Sequence, residues 1–210
     1  MKHAPIYIAV IAISALGGYL AGTSLRANSE MPEIAQAGAI SGAAAAAAAA
    51  ATDADPSAPD IKMPALGGGN SGIDDWDGQI RLINFWATWC APCRREIPLL
   101  KALQTDQAVP GLQVIGVALD EMDAVAEYNA EIEFNYPVLV GDVGALEIAN
   151  QYRLELMALP FTLVIARDGT LLNAHVGEID EDEAAHIVGV LQKLDQQQIT
   201  SAEAKEQLVL

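Results

Sequence analysis

Only two of the 210 residues are cysteine, Cys90 and Cys93, and two residues separate them. So few cannot build the dense disulfide framework of a small secreted domain. Basic residues are scarce as well: 11 Lys and Arg stand against 28 Asp and Glu, a formal net charge of −17. That balance argues against nucleic acid, whose phosphates would be repelled. It argues equally against adhesion to an anionic membrane surface, so membrane contact needs a true anchor. Histidine is limited to His3, His175 and His186, scattered along the chain. A structural zinc site needs four ligands, commonly from a second pair, and none is in view. No internal repeat is present. What remains is room for one ordinary domain with appendages, in a chain whose 52% hydrophobic content is inflated by alanine.

Charge is also missing from Ala4 to Leu25, a run bounded by Lys2 and Arg26. At 1.5 Å per residue it spans about 33 Å, enough for a hydrocarbon core of about 30 Å. Residues 1–27 are therefore expected to form an N-terminal transmembrane helix that anchors the chain. A cleaved signal peptide is the alternative, although the small-x-small site Ala35-Gln36-Ala37 lies well beyond the apolar run. Residues 28–60 are rich in Ala, Gly, Ser, Pro and acid, with unbroken alanine from Ala43 to Ala51. They read as a flexible linker with a reach of about 30 Å.

Apolar runs and turn signals then alternate over 61–195. Strands are expected at 79–86, 112–119 and 136–141, and helices at 93–103 (kinked at Pro98), 121–132 and 145–152. Residues 161–166 and 171–177 read as a hairpin around Asp168-Gly169, and 178–194 as a helix opened by acids. This order predicts an α/β fold, a central mixed sheet with helices on both faces. A polar, Gln-rich tail is expected over 196–210.

The cysteine pair falls where a strand runs into a helix. Free N–H groups and the positive helix end favour a Cys90 thiolate there, as do the neighbouring Arg94 and Arg95. Lowering a thiol pKa from about 8.5 to about 7 gains roughly 15-fold in thiolate, but falling nucleophilicity leaves about threefold in attack. The greater gain is that Cys90 becomes a good leaving group when Cys93, one turn on, attacks a mixed disulfide. A bridge across two residues constrains almost no chain entropy, which weighs against a purely structural disulfide. A peroxidatic cysteine is a further alternative. Its pattern places Thr or Ser three residues before the nucleophile and Pro seven before, where this chain has Ala87 and Ile83.

WCAPC, preceded by INFWAT and followed by RREIP, resembles the thioredoxin superfamily and, within it, membrane-anchored thiol–disulfide oxidoreductases of the TlpA/ResA type. MPAL and DDWDG fit the lead-in of that family, and the likeness covers about 61–194. The resemblance implies a thioredoxin-like fold, an exposed attacking Cys90 and a buried resolving Cys93. It implies that Trp89 and Pro92 border the site, and that Pro160 is a cis-proline setting the Leu159 backbone against an incoming peptide. Trp86 reads as core packing. Ordinary thioredoxins carry a buried acid where this chain has Asn84, so the proton acceptor for Cys93 is unassigned, with Glu96 and Asp120 as candidates. The resemblance further implies a protein disulfide reductase without added cofactor or metal, whose redox centre is the Cys90–Cys93 disulfide. It would face the periplasm from the bacterial inner membrane, serve cytochrome c-type biogenesis or copper-site assembly, and draw electrons from a membrane donor. A disulfide donor of the same fold, or a redox-inert tethered binding or chaperone module, are the alternative functions.

Overall fold

The computed structural model describes residues 60–156 and 158–209. The expected anchor over 1–27 and nearly all of the expected linker lie outside the described residues. Among the described residues no helix is long and apolar enough to cross a membrane.

The central sheet has five strands: β3 (Ile80–Trp86), β4 (Leu112–Ala118), β5 (Val138–Val140), β6 (Phe161–Ile165) and β7 (Leu171–Val176). Their spatial order is β5-β4-β3-β6-β7, with a two-stranded ribbon of β1 (Met63–Pro64) and β2 (Asn70–Ser71) ahead of it. β3 runs parallel to β4 and antiparallel to β6, so the sheet is mixed. All seven residues of β3 are buried. Ile80, Leu82 and Trp86 belong to one apolar layer, while Ile83 and Phe85 belong to the other. A strand buried on both faces reads as a continuous apolar run, which is why IRLINFW is legible without alternation.

Among the described residues five α-helices cover the sheet: α1 (Ala91–Asp106), α2 (Met122–Ile132), α3 (Asp142–Gln151), α4 (Glu181–Asp195) and α5 (Ser201–Leu208). α1, α2, α4 and α5 contribute to the first layer and α3 to the second. α1 starts two residues before the expected Cys93 and continues through Pro98. The hairpin closes as expected, with the Ala166 amide donating to Thr170 O and Gly169 at φ 85°. The polar tail expected over 196–210 is a correction. Thr200 and Glu203 form a reciprocal cap, and Ala204 and Leu208 are fully buried. Asn173 then fixes the helix end by donating to Leu208 O at 2.9 Å. Two apolar positions one turn apart are too thin a pattern to announce a helix.

Gly116 of β4 has a steric role. A Cβ there would lie 3.1 Å from Trp86 Nε1 and 3.3 Å from Tyr136, so the aromatic side chains can pack down onto the backbone only at glycine.

Phe85 and Phe161 pair across β3 and β6 with ring centroids 5.6 Å apart, and both are buried. Phe85→Ala is expected to cost about 3–5 kcal/mol in urea unfolding. A loss below about 1 kcal/mol would mean that the second layer collapses around the gap rather than depending on this pair.

Candidate active site

β3 ends at Trp86, and four residues later Cys90 caps α1. Its backbone is extended, at φ −86° and ψ 103°, and its sulfur accepts from the Cys93 amide at 3.4 Å. Cys90 and Cys93 are joined by a disulfide with Cα atoms 5.3 Å apart. Pro92 sits in the first turn, where a missing N–H costs nothing. Both cysteines are buried, Cys90 at 6% residual exposure and Cys93 at 0%. The resemblance implies a more open Cys90. That expectation is corrected: Cys90 is buried, because it packs at the edge of a groove of about 450 Å³ whose other lining residues are Trp89, Pro92, Leu119, Leu156, Ala158 and Leu159. Trp89 stands at the rim, 71% exposed. The Leu159–Pro160 peptide is cis, as expected. The structure thus brings Trp89, Pro92 and Leu159 to one groove with Cys90. Leu119 and Leu156, which line it too, carry no signal in the sequence beyond their place at strand and loop ends.

Trp86 is fully buried, with Phe134 and Tyr128 ring centroids at 5.2 and 5.7 Å, in keeping with a packing role. The two arginines counted above as support for a thiolate have other partners. The Arg94 guanidinium lies 4.9 Å from the centre of the Tyr128 ring, and Arg95 pairs with Glu178 at 2.5 Å. The amino end of α1, which Cys90 caps, adds a fixed positive field there.

Of the two candidate proton acceptors, Asp120 is engaged in holding a loop. One of its oxygens accepts from the Thr88 amide and hydroxyl, at 2.9 and 2.5 Å, and the other from the Glu121 amide at 2.9 Å. Partial burial opposes its charge, but these donors prevail and hold the carboxyl below its ordinary range. An anion so stabilised is a poor base. Its effect is to fix Thr88, two residues before Cys90.

Glu96 is different. It lies three residues beyond Cys93 on the buried side of α1 and is 2% exposed. Its Oε1 accepts from Asn84 Nδ2 at 2.8 Å, and its Oε2 from the Ile179 amide at 2.8 Å. Asn84 Nδ2 also donates to Thr162 Oγ1 at 3.0 Å. Burial pushes the Glu96 carboxyl up to about 7, and nearby Glu178 and Glu183 push the same way, against the two hydrogen bonds. A group poised there can both take and release a proton near neutrality. Tyr136, buried and close to the same carboxylate, is raised as well. Among the described residues no group of three or more His, Cys, Asp and Glu is placed to hold a metal ion.

The raised value has a consequence for stability. Between the ordinary 4.5 and about 7 the folded chain keeps a proton on Glu96 that the unfolded chain has released. Stability from this group is complete below about pH 4.5 and declines by about 3 kcal/mol as pH climbs to about 7. Glu96→Gln is expected to flatten that decline when urea midpoints are compared from pH 4.5 to 8. Parallel wild-type and variant curves would contradict it.

Residues 55–174 match the AhpC/TSA family. The thiol:disulfide interchange protein HelX of Rhodobacter capsulatus is 35% identical over 130 residues, covering 60% of this chain and 69% of that protein. The thioredoxin-like protein YneN of Bacillus subtilis is 32% identical over 130 residues, covering 60% of this chain and 73% of that protein. Among solved structures, a thiol:disulfide interchange protein of the thioredoxin family from Chlorobium tepidum superposes with a TM-score of 0.57 at 25% identity. That superposition covers 69% of this chain and 96% of the other. The fold is thioredoxin-like.

Proposed function

The chain belongs to the AhpC/TSA family, and from its site we infer a thiol–disulfide oxidoreductase that exchanges disulfides with other proteins. The observation that carries this reading is the unequal pair, one sulfur facing an apolar groove and its partner sealed three residues behind. In the reduced state the Cys90 thiolate attacks a client disulfide. One client sulfur leaves as a thiolate, and Cys90 becomes bound to the other. Cys93 then gives up its proton, and its sulfur displaces the second client sulfur from Cys90. The client disulfide has been reduced to two thiols and the Cys90–Cys93 dithiol oxidised. We assign the Cys93 proton to Glu96, whose burial and position one turn along α1 suit it to receive it. Trp89, Pro92 and Leu159 border the groove that would seat the client chain, with Pro160 fixing the path of its wall.

Resemblance to the TlpA/ResA-type proteins favours reduction over disulfide donation. It also favours apocytochrome c or a copper-site protein as client, with electrons returned by a membrane donor. The charge-free run over 4–25 supports a membrane anchor, and the resemblance favours a catalytic domain on the periplasmic side of the bacterial inner membrane. A peroxidatic reaction is disfavoured by the positions that would serve it. Ala87 has no hydroxyl, and Ile83 lies inside β3, both fully buried.

Cys93→Ser is expected to accumulate a mixed disulfide through Cys90, and Cys90→Ser none, when client proteins are trapped and separated without reductant. Absence of any adduct on Cys93→Ser would contradict exchange with proteins. The reduction potential is expected nearer the thioredoxin value of about −270 mV than the strong-oxidant value of about −120 mV. A value at the oxidising end would reverse the direction proposed.

A further inference from the structure

A buried carboxyl that gains a proton in each turnover must also lose it. Glu96 is enclosed at 2% exposure and does not line the groove beside Cys90 that a client would cover. The opposite side is built differently. Two successive backbone amides each hold a carboxylate: Ile179 N donates to Glu96 Oε2 at 2.8 Å, and Asp180 N donates to Glu183 Oε2 at 3.1 Å. Of these two acids, held by successive residues and close enough for the charge of Glu183 to bear on Glu96, one is sealed and the other, with a side chain 31% exposed, reaches solvent.

His175 completes the row. It lies directly opposite Thr162 in the β6–β7 register, and residues so paired project to the same face of the sheet. That face is the one where Thr162 meets Asn84, and Asn84 meets Glu96. His175 Nε2 is buried without a hydrogen-bond partner and lies 3.9 Å from Glu183 Oε2. Asn84 Oδ1 is buried and unpartnered in the same layer. Polar atoms left over in this way suit a hydrogen-bonded water. The other ionisable groups about Glu96 are less suited to relay its proton. Glu178 is held by Arg95, and Tyr136 is buried and held neutral.

We propose that Glu183, with His175 beside it, is the proton exit of Glu96, passing to solvent the proton that Cys93 gives up when it displaces the client. The inference rests on Glu96 as the acceptor of that proton. The balance is simple. The client leaves as a thiolate and takes a proton from water on its own side. The proton from Cys93 goes to Glu96, then to Glu183 or His175, and then to buffer, with no electron transferred along the way. Glu183 and His175 touch neither sulfur, so they act through Glu96.

The test uses the full chain and single-turnover release of a client-peptide thiol from its Cys90 mixed disulfide. The rate is followed in dilute buffer and again with added imidazole. Glu183→Gln keeps a side chain able to complete the cap of α4, and His175→Asn keeps a polar group at the strand edge. Each is expected to slow release about tenfold in dilute buffer, with imidazole restoring the rate to within about twofold of wild type. A merely structural defect would not respond to a small proton carrier. Wild-type rates in dilute buffer for both variants, or deficits that imidazole leaves untouched, would overturn the exit. Glu96→Gln separates the two ideas. If it slows release while neither exit variant does, only the exit is lost. If it leaves release unchanged, Glu96 is not the acceptor and the exit falls with it.

Discussion

Cys90 caps the helix that carries its own partner. Its sulfur accepts the Cys93 amide, and three residues of α1 bring the second sulfur behind the first. Everything else at the site follows from this geometry. The strand must end where the groove begins, so β3 is the middle strand of five, and its tip lies beside the end of β4. The approach loop must be fixed without blocking the sulfur, and Asp120 does this from the adjoining strand end by holding Thr88. The resolving sulfur must stay dry, and Ile97 and Leu100 of the same helix are buried with it in the first layer.

That layer carries a buried polar group close to the resolving helix. Asn84, Thr162 and Glu96 are all buried, and the Asn84 side-chain amide donates to both of the others. Burial of a carboxyl without a cation costs stability, because desolvation penalises its charged form. Glu96 answers that cost only in part, through one side-chain amide and one backbone amide. A fold selected for stability alone would have a hydrophobic residue there. Retaining an acid one helical turn from the resolving cysteine makes sense where a proton has to move at each turnover, and it ties the chemistry to a group whose charge is balanced near neutrality.

Much of this was legible in the sequence, for identifiable reasons. IRLINFW is a buried strand because both of its faces are covered. The Asp168-Gly169 pair marks the hairpin, since glycine takes the positive φ that the turn requires. The spacing of Cys90 and Cys93 fixes their relation on a helix start, and Pro92 agrees with it. Contacts made across the fold were not legible. Glu96 looks like a helix-surface acid until Asn84 and Ile179, 12 residues before it and 83 after, are seen to hold it. Arg94 and Arg95 look like free charge beside the cysteines until Tyr128 and Glu178 engage them. The tail looked polar because only Ala204 and Leu208 of α5 turn inward to full burial.

Unequal access to the two sulfurs is the central claim, and selective alkylation of the reduced protein measures it directly. With limiting iodoacetamide at neutral pH and mass-spectrometric mapping, the account predicts that Cys90 is modified first. Cys93 should react at a comparable rate only once denaturant has opened the fold. Equal modification of the two in the folded protein, or Cys93 reacting first, would contradict it.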